Sequence, residues 1–91
     1  MATHRSTCFF SGNVQGVGFR YTAMNIAQSY DVVGYVRNVS DGRVELVIEG
    51  SEADCQGLVS EVKQHMGDFI SDVQITESLA TGEFSRFSIR H

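Results

Sequence analysis

Two segments of the chain carry apolar residues at the spacing of one helical face. The first stripe has the spacing i, i+3, i+4 and i+7 and consists of Ala23, Ile26, Ala27 and Tyr30. The second stripe continues the same periodicity and consists of Cys55, Leu58, Val59, Val62 and Met66. Ser51 followed by Asp54 resembles a helix N-cap with an acid in the first turn, and Gly67 is well placed to end that helix. The pattern predicts two amphipathic helices, the first of which ends near Asp31.

Five shorter segments have the composition or the alternation of β-strands. Residues 43–50 alternate most clearly, with Val44, Leu46 and Ile48 on one face. The opposite face of that segment carries Arg43, Glu45 and Glu49. A Ser-Asp-Gly turn at residues 40–42 joins it to residues 32–38, which is typical of a hairpin. The other strand segments are residues 7–13, 70–77 and 84–91.

The predicted order of elements is β-α-β-β-α-β-β. This order indicates an α+β fold, the ferredoxin-like split β-α-β sandwich. Right-handed crossovers would place both helices on one face of an antiparallel five-stranded sheet, leaving the other face at least partly exposed to water. In this fold the first two strands run parallel with the third between them, so their carboxyl ends lie at the same edge.

Composition limits the function classes that need to be considered. A chain of 91 residues is one domain, and 42% hydrophobic with 20% charged residues is an ordinary soluble composition. The formal net charge of −4 argues against a nucleic-acid role. No apolar stretch is long enough for a membrane span or a signal peptide, so we expect a cytoplasmic protein. Cys8 and Cys55 are expected to be free thiols, with a bridge between them left open.

The connection between the first strand and the first helix contains the candidate chemistry. It spans Val14–Arg20, about seven residues, which is longer than the usual strand-to-helix loop. Gly16 and Gly18 permit backbone angles that turn successive N–H groups inward as an anion-binding nest. The loop ends where the helix N-terminus begins, and Arg20 adds a planar fork of donors that fits a phosphoryl group. These features favour a binding site for a dianion. On residue types alone, however, a glycine-rich turn that ends in arginine more often has a purely structural role.

Asn38 is the second candidate, at the end of the second predicted strand and before the hairpin turn. The parallel course of strands one and two places it at the edge of the sheet that holds the Val14–Arg20 connection. An asparagine there commonly caps a turn. Its amide oxygen can alternatively accept a hydrogen bond from a water while its NH₂ donates to a phosphoryl oxygen.

Three stretches together resemble the acylphosphatase family, in order and spacing and over nearly the whole chain. They are "GNVQGVGFR" at 12–20, "GYVRNVSDGRVE" at 34–45 and "FSRFSIRH" at 84–91. The resemblance implies one acylphosphatase-like domain over residues 1–91, with hydrolysis of carboxyl-phosphate bonds and no metal or cofactor. It also implies that Arg20 binds the phosphate and that Asn38 positions the attacking water. The phosphate-binding loop that it implies consists of Gln15, Gly16, Val17, Gly18, Phe19 and Arg20.

The implied partners are a small-molecule acyl phosphate as substrate and inorganic phosphate as product, with no nucleic acid and no membrane. The carboxylate leaving group needs little general-acid help, and positioning and charge stabilisation supply most of the catalysis in phosphoryl transfer. An amide at residue 38 is not a strong general base, so we expect a broad pH profile. We also expect a monomer, because no exposed apolar patch demands a partner.

Two other functions share the predicted fold. An RNA-recognition module would need aromatic residues on the third strand, which instead carries two glutamates. A sensor of phosphorylated metabolites would use the same loop without turnover, but would not need Asn38 to position a water. The histidines at positions 4, 65 and 91 are dispersed, and none is expected beside a predicted catalytic residue. An ion pair between the terminal carboxylate of His91 and an arginine is expected.

Overall fold

A computed structural model describes residues 2–91. The predicted number and order of helices and strands are confirmed, with one additional turn of 3₁₀-helix after the second α-helix. The elements are β1 (His4–Gly12), α1 (Phe19–Ala27), β2 (Val32–Asn38), β3 (Val44–Gly50), α2 (Glu52–Met66), the 3₁₀ turn (Gly67–Phe69), β4 (Ile70–Leu79) and β5 (Phe87–Arg90).

The five strands form one sheet in the order β4-β1-β3-β2-β5. β3 is antiparallel to both β1 and β2, so β1 and β2 are parallel to each other, as predicted. The prediction of a purely antiparallel sheet is wrong, because β5 runs parallel to β2. β4 ends where β1 and β2 begin, and residues 80–86, the crossover segment, lead to β5 at that same end of the sheet. β5 is therefore antiparallel to β4 and parallel to β2.

Both helices pack on one face of the sheet, and the α+β split β-α-β sandwich is confirmed. All five residues of the predicted stripe on α2 are buried. On α1, Ala23, Ile26 and Ala27 are buried, whereas Tyr30 lies beyond the helix and packs against the core as a partly buried residue. Fully burying a Leu, Ile, Val or Phe side chain contributes about 1.5–3 kcal/mol, so these stripes are the main force that holds the layers together.

Two of the three predicted helix ends agree with the structure. The Ser51 hydroxyl accepts a hydrogen bond from the Asp54 backbone N–H at 3.0 Å, so the predicted N-cap of α2 is confirmed. α2 ends at Met66 with Gly67 as its C-cap, as predicted. Gly67 is not left-handed, however, because its φ is −55° and the chain continues into the 3₁₀ turn. α1 stops at Ala27 rather than near Asp31, and the Tyr30 N–H then donates to the Ala27 carbonyl in a turn.

The helix-free face of the sheet is less exposed than predicted. Glu49 of β3 is fully buried, because β3 is the central strand and the crossover segment passes over it. Glu45 is 8% exposed, and Tyr35 and Arg37 of β2 donate to its carboxylate. The Glu49 carboxylate accepts hydrogen bonds from Arg5 Nε at 2.7 Å, from Thr81 N at 2.9 Å and from Gly82 N at 3.1 Å. Burial alone would raise the pKa of Glu49, but these hydrogen bonds outweigh it and hold the pKa below its ordinary value. Glu49 therefore fastens the crossover segment to the sheet.

Both cysteines are buried free thiols in the core. Burial raises the pKa of the Cys8 thiol to about 12 and that of Cys55 to about 11. Since the thiolate is the reactive form, neither side chain is a candidate nucleophile.

Candidate active site

The loop between β1 and α1 comprises residues 13–18 and is shorter than the predicted connection, because α1 already begins at Phe19. Gly16 and Gly18 both have left-handed backbones, with φ of 79° and 76°. A Cβ at either position would meet no atom within 4 Å, so glycine is required there by the backbone conformation and not by lack of space. Gly18 is also the N-cap of α1 and supplies no side-chain hydrogen bond to the first turn. The first-turn N–H groups are thus left without a side-chain cap, at the positive end of the helix dipole.

Gln15 fastens this loop to the β2–β3 hairpin. Its Nε2 donates to the carbonyl of Val39 at 2.7 Å and to the carbonyl of Arg43 at 2.9 Å. The hairpin is itself closed by the Val39 N–H, which donates to the Arg43 carbonyl at 2.8 Å. The side chain of Gln15 is therefore committed to holding the loop beside the end of β2, where Asn38 lies.

Apolar residues anchor the loop on both sides. Val14 is fully buried, Phe19 is 2% exposed and Val17 packs against the core as a partly buried residue. The Phe19 ring lies 5.0 Å from the Phe10 ring of β1. Phe19 is accordingly a core residue, and within the predicted phosphate loop its side chain serves packing.

Arg20 lies in the first turn of α1 and is half-buried. Arg5, Arg37 and Arg43 each form an ion pair with a carboxylate. Within residues 2–91 Arg20 forms no such pair, and the hydrogen bond recorded for its side chain joins Nη1 to Nδ1 of His91 at 3.3 Å. The charge of its guanidinium is therefore not neutralised by an acid in this structure.

Asn38 is the last residue of β2 and is exposed. It lies opposite Val44 at the start of β3, at the edge of the sheet where β1 also ends. Strand alternation puts it on the same face as the buried Val36, which is the face of the helices. The predicted placement of Asn38 at the edge of the β1–α1 loop is confirmed by the topology.

The expectation that no histidine lies beside a predicted catalytic residue is wrong for His91. Its ring contacts Arg20, while the recorded bonds of His4 and His65 are to Glu77 Oε2 at 2.9 Å and to the Glu61 carbonyl at 3.0 Å. The expected ion pair of the terminal carboxylate with an arginine is not among the salt bridges of residues 2–91, and the imidazole makes the contact instead. The contact between His91 and Arg20 depends on the parallel direction of β5. It could not be predicted, because the sequence led to the expectation of a purely antiparallel sheet.

The clefts found among residues 2–91 lie away from the β1–α1 loop. One cleft of about 300 Å³ lies between α2 and β4, and another of about 490 Å³ lies at the start of β2. Neither is lined by the β1–α1 loop, Arg20 or Asn38. No group of three or more His, Cys, Asp or Glu side chains in this part of the chain could hold a metal ion. The helices formed by these residues are too short or too polar to cross a membrane.

The chain is similar in sequence and in fold to known proteins. The family model described as Acylphosphatase matches residues 6–89. The chain is 40% identical over 88 residues to an acylphosphatase of Anaeromyxobacter sp. (strain Fw109-5), covering 96% of this chain and 95% of that protein. The crystal structure of acylphosphatase from Bacillus subtilis has a TM-score of 0.86 and 35% identity, covering 97% of this chain and 99% of that one. An acylphosphatase structure from Coxiella burnetii has a TM-score of 0.82 at 28% identity, covering 98% of this chain and 94% of that one. The chain belongs to the acylphosphatase family.

Proposed function

We propose that this chain hydrolyses acyl phosphates by holding the phosphoryl group between the amides of residues 15–20 and the guanidinium of Arg20. Membership of the acylphosphatase family supports the reaction, in which the carboxyl-phosphate bond is cleaved to a carboxylate and inorganic phosphate. The observation that carries the assignment of the site is a pair of left-handed glycines, Gly16 and Gly18, before a helix N-terminus that has no side-chain cap. Arg20 lies in the first turn of that helix and has no acidic partner among residues 2–91.

Charge is the first reason why this position suits a phosphoryl group. The protein is acidic overall, so an anion needs a local positive site. Backbone N–H groups of a turn and of a helix start supply partial positive charge without a side chain. Arg20 adds a full charge and a geometry that matches two phosphoryl oxygens. Aimed at the equatorial oxygens, these donors stabilise the charge that shifts in the transition state.

Asn38 supplies orientation in this mechanism. Its amide oxygen accepts a hydrogen bond from a water, whose oxygen attacks phosphorus as the bond from phosphorus to the acyl oxygen breaks. The electron pair of that bond leaves with the carboxylate, and the proton of the water passes to a phosphate oxygen or to solvent. No side chain has to act as a strong base, so a broad pH profile is expected. Holding the water in line is a contribution of geometry.

The site is assembled from one chain, which supports action as a monomer. The β1–α1 loop, Arg20 and Asn38 all come from the same copy, and Gln15 joins the loop to the hairpin through the carbonyls of Val39 and Arg43. Light scattering after size-exclusion chromatography tests this, and a stable dimer at assay concentration would contradict it. Two buried free thiols are what a reducing compartment maintains, which supports the cytoplasm as the place of action.

The reaction and the two roles are tested with benzoyl phosphate in the presence of EDTA. Arg20→Ala should lower kcat/KM about 10²- to 10³-fold, the usual effect of removing one transition-state donor, and should weaken inhibition by phosphate. Asn38→Ala should lower kcat about 10²-fold, as a misplaced reactant does, with phosphate inhibition unchanged. Arg86→Ala and Asn25→Ala are matched controls, because both residues are exposed and lie outside the site.

The outcomes separate the parts of the proposal. A native protein that binds phosphate and never turns over would leave a sensor of phosphorylated metabolites, a function that the family does not favour. Native turnover that survives in Arg20→Ala would show that the arginine is not the phosphate ligand. Activity abolished by EDTA and restored by magnesium would refute the metal-free mechanism.

A further inference from the structure

Lysine is almost absent from this chain, although cationic side chains are not. Of the seven lysine and arginine residues, six are arginines and Lys63 alone is a lysine. The distinction matters in a family that acts on acyl phosphates, because these compounds are mixed anhydrides. An amine that has lost its proton is a nucleophile toward their carbonyl carbon, whereas a guanidinium stays protonated and does not react. Lys63 is therefore the one side-chain amine that such a substrate can acylate.

Lys63 lies in the last turn of α2, where its side chain lines the cleft of about 300 Å³ between α2 and β4. The residue is exposed, and among residues 2–91 it forms no ion pair with a carboxylate. Glu77, which also lines the cleft, is already bonded to Ser6 Oγ at 2.5 Å and to His4 Nε2 at 2.9 Å. The amine of Lys63 is thus accessible to a reagent from solvent.

The walls of this cleft can take up an acyl group once it is attached. Val59 lies four residues before Lys63 on the same face of α2, and helical side chains lean toward the N-terminus, so the lysine stem is directed over Val59. Ile75 of β4 lines the opposite wall and is 44% exposed. Acylation replaces the ammonium by a neutral amide, whose acyl group can cover this apolar surface. A volume of about 300 Å³ is at the small end of ligand pockets and admits an acetyl or a benzoyl group.

We propose that Lys63 is an acylation site, modified by the acyl phosphates on which the protein acts, with the acyl group held in the cleft between α2 and β4. The ammonium first gives a proton to solvent, and the free amine attacks the carbonyl carbon of the acyl phosphate. The bond from that carbon to the phosphate oxygen breaks, its electron pair leaves with phosphate, and the nitrogen loses a second proton to solvent. The products are an amide at Lys63 and inorganic phosphate. This inference rests on the proposed function for the identity of the reagent.

The cleft is separate from the proposed phosphate site. It is not lined by the β1–α1 loop, Arg20 or Asn38. Hydrolysis and acylation therefore use the same compound at two places on the molecule, and hydrolysis removes the reagent that acylates Lys63. An acyl group on Lys63 would mark substrate that escaped hydrolysis.

The test moves the single lysine and keeps the composition of the chain constant. In the double variant Lys63→Arg/Arg86→Lys, the amine lies on an exposed position of the crossover segment that does not line the cleft. Each protein is treated with acetyl phosphate or benzoyl phosphate in mildly alkaline buffer, where more of a lysine amine is unprotonated. Mass spectrometry of proteolytic peptides locates the acyl groups and separates Lys63 from the N-terminal amine. The melting temperature of the modified protein is the second readout.

Lys63 should be acylated by both reagents, and the acyl group at that position should be absent from the double variant. Protein with a benzoyl group on Lys63 should melt roughly 2–5 °C above protein with an acetyl group there, because the larger group buries more apolar surface. At the moved lysine the two acyl groups should give the same melting temperature. In Asn38→Ala at a limiting dose of reagent, acylation of Lys63 should be several-fold higher than in the native protein, because slower hydrolysis leaves the reagent in solution for longer.

Two results overturn the inference. One is a Lys63 that stays unmodified under conditions that acylate the moved lysine. The other is an equal melting temperature for the acetyl and benzoyl forms of the native sequence, which would place the acyl group outside the cleft. Failure of the proposed function looks different, because benzoyl phosphate is then not hydrolysed and the native protein and Asn38→Ala are acylated to the same extent. The peptide map and the melting temperatures still decide the role of Lys63 in that event, since neither depends on turnover.

Discussion

Replacing Gly18 by alanine tests whether the left-handed backbone before α1 serves the proposed phosphate site. Gly18 has a φ of 76°, and a Cβ there would meet no atom within 4 Å. Alanine therefore fits sterically, and its cost is the strain of a left-handed residue that has a Cβ, about 1–2 kcal/mol. The perturbation is purely conformational, which makes its magnitude easier to follow than that of a lost contact.

That strain must appear in one of two measurements. If the variant keeps the native loop, its free energy of unfolding falls by about 1–2 kcal/mol. The melting temperature then falls by about 4–8 °C for each kcal/mol in a domain of this size. If the loop relaxes instead, stability is retained and the strain is restored on binding. Phosphate affinity is then weakened by about 5- to 30-fold.

Gly82→Ala is the matched control, because Gly82 has a φ of 77° with the same open space and lies in the crossover segment. It should lose stability of the same order without any change in phosphate affinity. Urea unfolding gives the stability of each variant, and phosphate inhibition of benzoyl phosphate hydrolysis gives the affinity. A Gly18→Ala variant that retains both native stability and native affinity would refute the reasoning, since the strain would then appear in neither measurement.

Three further experiments test the packing of the fold. Gly34→Ala should not fold, because its Cβ would lie 1.9 Å from the Val47 carbonyl oxygen, and circular dichroism at low temperature measures this. Glu49→Gln should lower the free energy of unfolding at neutral pH by about 1–3 kcal/mol, since it leaves buried donors unpaired. Because the pKa of Glu49 is lowered by folding, its stabilisation is present above the ordinary glutamate pKa and lost as the pH falls through the folded value. Urea titrations should therefore show the two proteins converging in acid, and a constant difference would contradict this. Cys8 and Cys55 should react with a thiol reagent only after unfolding, because burial raises both pKa values, to about 12 and about 11.

Local patterns predicted the helices well because amphipathic faces and caps are encoded by neighbouring residues. The stripe on α2 and the Ser51 cap both have this origin. The burial of Glu45 and Glu49 was not predictable in this way. Alternation identifies them as polar residues on one face, but does not reveal that the crossover segment passes over that face. Its attachment depends on Arg5 and Thr81, which are distant from Glu49 in the chain.

In the candidate site, too, the features that depend on local sequence or simple topology were predicted, and the one that depends on long-range strand pairing was not. The positive φ of Gly16 and Gly18 follows from residue type in a short loop, and Asn38 follows from the parallel course of β1 and β2. His91 was missed because its position depends on the direction of β5. Four residues at the end of a chain carry no periodic signal that distinguishes a parallel from an antiparallel edge strand. Long-range pairing, and not side-chain chemistry, limited the prediction.

The place of β1 as an interior strand of the sheet has a consequence for synthesis. This first strand lies between β3 and β4, and its register with β4 extends to Leu79. A nascent chain can pair β1 with β3 midway through translation, but the second edge of β1 stays open until β4 has emerged. We therefore expect the sheet to be completed only after β4 and β5 have been synthesised. A ribosome stalled before β4 would expose an unpaired strand that can associate with another chain.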